Sequence, residues 1–99
     1  MKAVDKLSLA RWRELDAVNV LSALAEHAKQ DNSYAPVANG ATSRWHASVD
    51  GHDFELLLTG PKFWDTRARC GGGGGVDLAM HLRGLDFRHA TAWLSESGL

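Results

Sequence analysis

Apolar positions in the first quarter of the chain recur at three- and four-residue steps: Leu7, Ala10, Trp12, Leu15, Val18, Leu21, Leu24 and Ala25. That spacing predicts helix from Val4 to about Lys29, with no Gly or Pro to interrupt it. Asp16 is a candidate N-cap for a second helix starting near Ala17, and Asn19 and Val20 are mediocre helix formers. Two helices with a kink near residues 16–17 are therefore expected.

The period then fails. Gln30, Asp31, Asn32 and Ser33, followed by Pro36 and Asn39-Gly40, read as loop and turn. Residues 34–37 read as a short extended piece at a sheet edge, since Pro cannot donate to a central ladder. Alternation appears in residues 42–49, Asp50-Gly51 is a strong hairpin turn signal, and residues 52–59 supply the partner strand. Gly60-Pro61 breaks that strand, and residues 62–66 read as a third. A small antiparallel sheet of three or four strands follows.

Five consecutive glycines, Gly71 to Gly75, come next. Each would lose much backbone entropy on ordering, so the run is expected to be neither helix nor a good strand, but a turn. Helical spacing resumes at Val76, Leu78, Ala79 and Leu82, with Asp77 placed in the first turn to suit the helix dipole and Gly84 as the C-terminal stop. A last helix is expected over residues 86–95, with Asp86 as N-cap, Phe87, Ala90, Trp93 and Leu94 on one face, and Gly98 ending it. No internal repeat or second domain is visible. The predicted class is α+β: N-terminal helices, a small antiparallel sheet, a Gly-rich turn and two short C-terminal helices.

Ninety-nine residues allow one core. Eleven Lys+Arg against twelve Asp+Glu leave a formal charge of −1, so net charge does not advertise a nucleic-acid partner. One cysteine excludes an internal disulfide framework and a multi-cysteine zinc site. The longest apolar run, Leu56-Leu57-Leu58, is far short of a membrane span, which needs about 20 residues. The first six residues lack a signal peptide's apolar centre, so the cytoplasm is the expected location and no membrane partner is expected.

The stretch from Cys70 through the glycines, Val76-Asp77-Leu78 and Gly84-Leu85-Asp86-Phe87 to Ala90 resembles the end of the Cys-His-Cys-Cys zinc-binding domain of bacterial DNA primases. That family has a C-x-x-C, a Gly-rich turn, an (I/V)-D-(F/L) helix start and a G-(L/V)-x-F-x-x-A stretch in this order. The resemblance covers residues 17–96 as the core of a single domain spanning 1–99, with residues 1–16 as a helical extension. Its form looks most like primase-type proteins of plasmids and other mobile elements. It implies a zinc-ribbon-like sheet and a DNA-binding accessory module serving replication or conjugative transfer. It also implies single-stranded DNA as partner, and any primer synthesis in a C-terminal catalytic domain or with replication or transfer proteins. The module would not be catalytic alone, because primer synthesis needs a carboxylate cluster holding divalent metal and no compact one appears here.

The family's ligands are mostly replaced. Its C-x-x-C falls on Arg67 and Cys70, and the earlier C-x-x-H on Ser43 and His46, or near Ser48 and Gly51. At best His46 and Cys70 remain of four ligands, whereas a structural zinc site closes with four. The expectation is a zinc-finger-like fold without cofactor, held by apolar packing. The alternative is an irregular zinc site using Cys70 with His81 or His52.

For DNA contact the candidates are Arg44, Trp45, Lys62, Trp64, Arg67 and Arg69, since an exposed aromatic stacks on unpaired bases and cations neutralise phosphates. The competing reading makes Phe63 or Trp64 core and the arginines merely solvated. Pleat alternation sends Phe63 and Trp64 to opposite faces, so one should be more exposed. The glycine run lacks the Gly-Lys-Ser/Thr ending of a nucleotide-binding loop, leaving a weak anion site or a close-packing turn. Cys70 as a nucleophile would need a histidine base, and the histidines are scattered, with His27, His81 and His89 all expected on helices at the surface or boundary. Trp12 and Trp93 are expected in the core. The function class opposed to DNA binding is a protein-interaction module that has lost both zinc and nucleic acid.

Overall fold

The structure, a computed structural model, describes residues 5–99; the expected helix start at Val4 lies outside them. The N-terminal apolar period forms two helices, α1 (Lys6–Glu14) and α2 (Ala17–Leu24). Asp5 caps α1 through a bond from the Ser8 amide to its carboxylate, 2.6 Å. Asp16 takes the N-cap position of α2, but its side chain makes no capping bond. The break between the helices is held instead by the Ala17 amide, which donates to Gly60 O at 2.8 Å.

The helix does not continue to Lys29. Residues His27–Gln30 form strand β1, antiparallel to β2 (Ser43–Val49) with Ala28 opposite Ala47. Helix propensity there is overridden by the free edge of β2, which receives the Glu26 amide at Ser48 O (2.9 Å). His27 thus lies on a strand. Residues 34–37 form no strand, contrary to the edge piece expected there, and β1 takes the sheet edge.

Strand β3 (His52–Thr59) follows the expected Asp50-Gly51 turn, where both residues have positive φ, 50° and 80°. Strand β4 is Lys62–Asp65. The sheet does not stop there, because the first glycines form a fifth strand, β5 (Cys70–Gly73), antiparallel to β4. The entropy cost of ordering glycine is real, but two aromatic residues occupy the space that side chains on β5 would need. A Cβ on Gly71 would collide with the Phe63 carbonyl and lie 2.9 Å from Trp64 Cε3, and one on Gly72 would lie 3.1 Å from the Phe63 ring. Glycine is required by close approach, so the run is a strand and a helix start, not a turn.

Helix α3 (Gly75–Arg83) begins within the run and ends on Gly84 in the left-handed region, φ 63°. Asp77 lies in its first turn and accepts from the Gly73 amide at 3.3 Å. Helix α4 (Phe87–Glu96) is capped by the Asp86 carboxylate, which takes the His89 amide.

The strand order is β1-β2-β3-β4-β5, and all neighbours are antiparallel. The fold is α+β, with the helices layered on one face of a single sheet. Trp12, Val20, Leu21, Leu78, Leu82 and Leu94 from the helices meet Ala47, Val49, Leu56, Leu58 and Phe63 from the sheet in the core. Trp12 is fully buried, as expected, while Trp93 is only partly buried against this cluster. No helix of the described residues is long and apolar enough to cross a membrane.

Candidate nucleic-acid interface and a buried Asp-His pair

Because side chains alternate along strands, the register sorts the sheet into two faces. Trp45, Ala47, Val49, Leu56, Leu58, Phe63 and Asp65 point toward the helices. Arg44, Leu57 and Trp64 stand opposite one another on the other face, as do Thr59 and Lys62. Of the two adjacent aromatics, Phe63 is 6% exposed and Trp64 is 44% exposed, which settles which of them is core. Trp45 is half-buried on the helix side, so it does not join Arg44, Lys62 and Trp64 on the other face, while Arg67 and Arg69 lie in the turn between β4 and β5. Its separation from Arg44 follows from their adjacency in a strand.

On the uncovered face the Trp64 ring lies against the bare backbone of Gly71. It flanks a shallow trough formed with Leu57, Thr59, Lys62, Thr42 and Tyr34. Arg44 stacks over the Tyr34 ring, 5.1 Å from its centroid. The same guanidinium is paired with Asp31 at 2.7 Å, and His46 Nε2 approaches that carboxylate at 3.2 Å. Bonds from Ser33, Arg44 and His46 hold the Asp31 carboxyl well below the usual range. Arg44 therefore arrives at this face already partnered. Lys62 makes no ion pair among the described residues, and Arg67 reaches the Asp53 carbonyl with one nitrogen at 3.3 Å. Arg69 sits in the β4–β5 turn with a left-handed backbone, φ 58°.

His46 and Cys70, the two ligands that the resemblance could leave in place, are not brought together. His46 is on the uncovered face of β2, and Cys70 is on the helix side of β5, three strand spacings away, on the order of 14 Å. His52 stands opposite Val49 beside the β2–β3 turn. His81, in contrast, does come to Cys70: Nδ1 lies 3.8 Å from Sγ. Two such donors do not close a tetrahedral site. Among the described residues no three His, Cys, Asp or Glu side chains gather to hold a metal.

The arrangement around His81 is the feature that spacing in the sequence did not show. Its Nε2 meets Asp65 Oδ2 at 2.6 Å, and its ring sits between Phe54 and Phe63, with centroids at 6.0 and 5.4 Å. Asp65 is almost fully buried, and its Oδ1 accepts the Arg67 and Ala68 amides, each at 3.0 Å. Burial pushes this carboxyl up, but the Ala68 amide, His81 and the Arg67 amide together outweigh it, and the net shift is downward. One carboxylate thus closes the β4–β5 turn and anchors α3 to the sheet.

No family model matches the chain, and no solved structure matches it. The chain is similar to a "65 kDa protein" of Zymomonas mobilis subsp. mobilis, 42% identical over 45 residues. Those residues are 46% of this chain and 8% of that protein, so the likeness concerns a small part of a much longer protein.

Proposed function

We propose that the chain is a DNA-binding accessory module of a primase-like protein, contacting single-stranded template during replication or transfer of a mobile element in the cytoplasm. The observation that supports this reading is Trp64: a large aromatic left 44% exposed, lying on a glycine backbone beside Lys62 on a sheet face that no helix of the described residues covers. Unpaired bases stack on such a platform, and nearby cations follow the backbone. Lys62, Arg67 and Arg69 are the cations for the phosphates, while Arg44 mainly orients Tyr34 at the trough's rim. The module makes no primer by itself, and primer synthesis belongs to a catalytic domain attached to it or acting with it. Apolar packing does the work of the zinc that its counterparts in the resembling family hold.

Fluorescence titration with single-stranded oligonucleotides tests the reading. Trp64→Ala should weaken binding by about 1–3 kcal/mol, or roughly 5- to 150-fold. Three phosphate contacts give a log–log salt slope of about −2, and Arg67→Ala should reduce its magnitude by about 0.7. No binding at about 100 μM protein in low salt would refute it.

A second reading, a protein-interaction module, is favoured by the formal charge of −1 and by Asp53 and Glu55 standing on the same face as Lys62. It predicts that Trp64→Ala leaves the protein indifferent to oligonucleotides because the wild type already is.

A further inference from the structure

We propose that Cys70 is a nucleophilic thiol served by His81 as base and Asp65 as the carboxylate that orients it, and that it exchanges with low-molecular-mass disulfides. This site lies on the helix side of the sheet and does not rest on the DNA-binding reading.

Its construction follows from the register. Cys70 and Asp65 are cross-strand partners, so their side chains leave the sheet on the same side. Helix α3 lays His81 across that pair. The Asp65 carboxylate can only accept, so the proton on His81 sits at Nε2 and the lone pair of Nδ1 faces Cys70 Sγ at 3.8 Å. The two phenyl rings fix the imidazole plane, and the Arg67 and Ala68 amides fix the carboxylate. Nucleophile, base and orienting group are thus joined in one line, the arrangement that activates a thiol. Cys70 itself is exposed and unpaired with another cysteine. Beside His81 is an open depression lined by Phe63, Gly71, Asp77, Met80 and Leu85, one residue along β5 from Cys70.

In the exchange, His81 Nδ1 takes the Cys70 proton as Sγ attacks one sulfur of the disulfide. A Cys70–sulfur bond forms, the disulfide bond breaks, and the departing thiolate receives the proton from His81. One disulfide is replaced by another, and a small thiol leaves.

The test uses 2,2′-dithiodipyridine, a neutral small disulfide, and follows release of pyridine-2-thione. At pH 7 the native protein should react at least about tenfold faster than the same chain unfolded in urea, the lower edge of what a positioned base supplies being larger still. His81→Gln should lose about tenfold or more at pH 7 and recover toward the wild-type rate near pH 10, where hydroxide ionises an ordinary thiol. Loss at pH 7 with recovery at high pH is not what a purely structural histidine would give. Asp65→Asn should fall between the two. Cys70→Ser gives the zero. Should Asp65→Asn not fold, the native-to-unfolded ratio and His81→Gln decide alone. A native rate less than tenfold above that of the unfolded chain, or a His81→Gln protein that keeps the wild-type rate at pH 7, overturns the proposal.

Discussion

Alanine placed at two positions of the same glycine strand should have opposite effects. At Gly71 a methyl group meets the Phe63 carbonyl and the Trp64 ring at once, and one of these is backbone. The strand must retreat or the indole must lift, an overpacking cost of about 1–3 kcal/mol. At Gly73 the nearest atom is Lys62 Cγ at 3.9 Å, an ordinary contact, and the backbone there is not left-handed. Gly73→Ala then acts mainly through the unfolded chain, which it stiffens, and stabilises by about 0.4–1 kcal/mol. For a domain of this size each kcal/mol moves Tm by about 4–8 °C. Gly71→Ala should therefore melt about 4–24 °C below wild type, and Gly73→Ala a few degrees above it. Thermal denaturation followed by circular dichroism, run side by side, reads both. Gly71→Ala should also change the Trp64 emission, because its ring no longer rests on the strand. Two variants that melt together would show that the glycines do not pair with β4 in this register.

Asp86→Ala removes the carboxylate that receives the His89 amide and should cost about 1 kcal/mol, read as a lower urea midpoint. The carboxyls of Asp5, Asp31, Asp65 and Asp86 all ionise more readily in the folded protein than in an ordinary chain. On acidification the unfolded chain binds protons first, near the ordinary value of 3.8, so this stability is complete at neutral pH and is lost as pH falls below that value through the lowered ones. Urea midpoints should accordingly drop between pH 5 and pH 2.5, and Asp65→Asn should make that drop shallower while lowering the midpoint at pH 7. A midpoint in Asp65→Asn equal to wild type at pH 7 would contradict the anchoring role of this carboxylate.

Much of the architecture is written locally. Asp50-Gly51 demands positive φ at two successive residues, and the hairpin around it needs no distant information. Asp86 three residues before His89, ahead of an apolar face, is a helix start in any context. Strand β1 is different. Of its four residues only Ala28 packs against the core, and what makes it a strand is the open edge of β2, brought in from beyond a long connection. The glycine strand was hidden because the side chains that fill its space belong to Phe63 and Trp64. Two consecutive aromatics a hairpin's length before the run were the available signal. The division of Arg44 from Trp45 was legible in the alternation of residues 42–49. The meeting of Asp65, Cys70 and His81 was not, since it depends on where α3 crosses the sheet.

The sheet's spatial order is its chain order. Strands that pair are consecutive in the chain, and three of the four closures span short turns; the exception is the connection of residues 31–42 between β1 and β2. Such a meander has little loop entropy to overcome, and its hairpins can zip in microseconds once nucleated. The slow step then falls to α1 and α2, which must find α3 and α4 across all five intervening strands. Truncations of side chains in the β2–β3 hairpin should retard refolding, whereas Trp12→Phe should chiefly hasten unfolding, a division that stopped-flow chevrons would resolve. A nascent chain leaving the ribosome would hold α1 and α2 unmatched until α3 and α4 emerged behind the whole sheet.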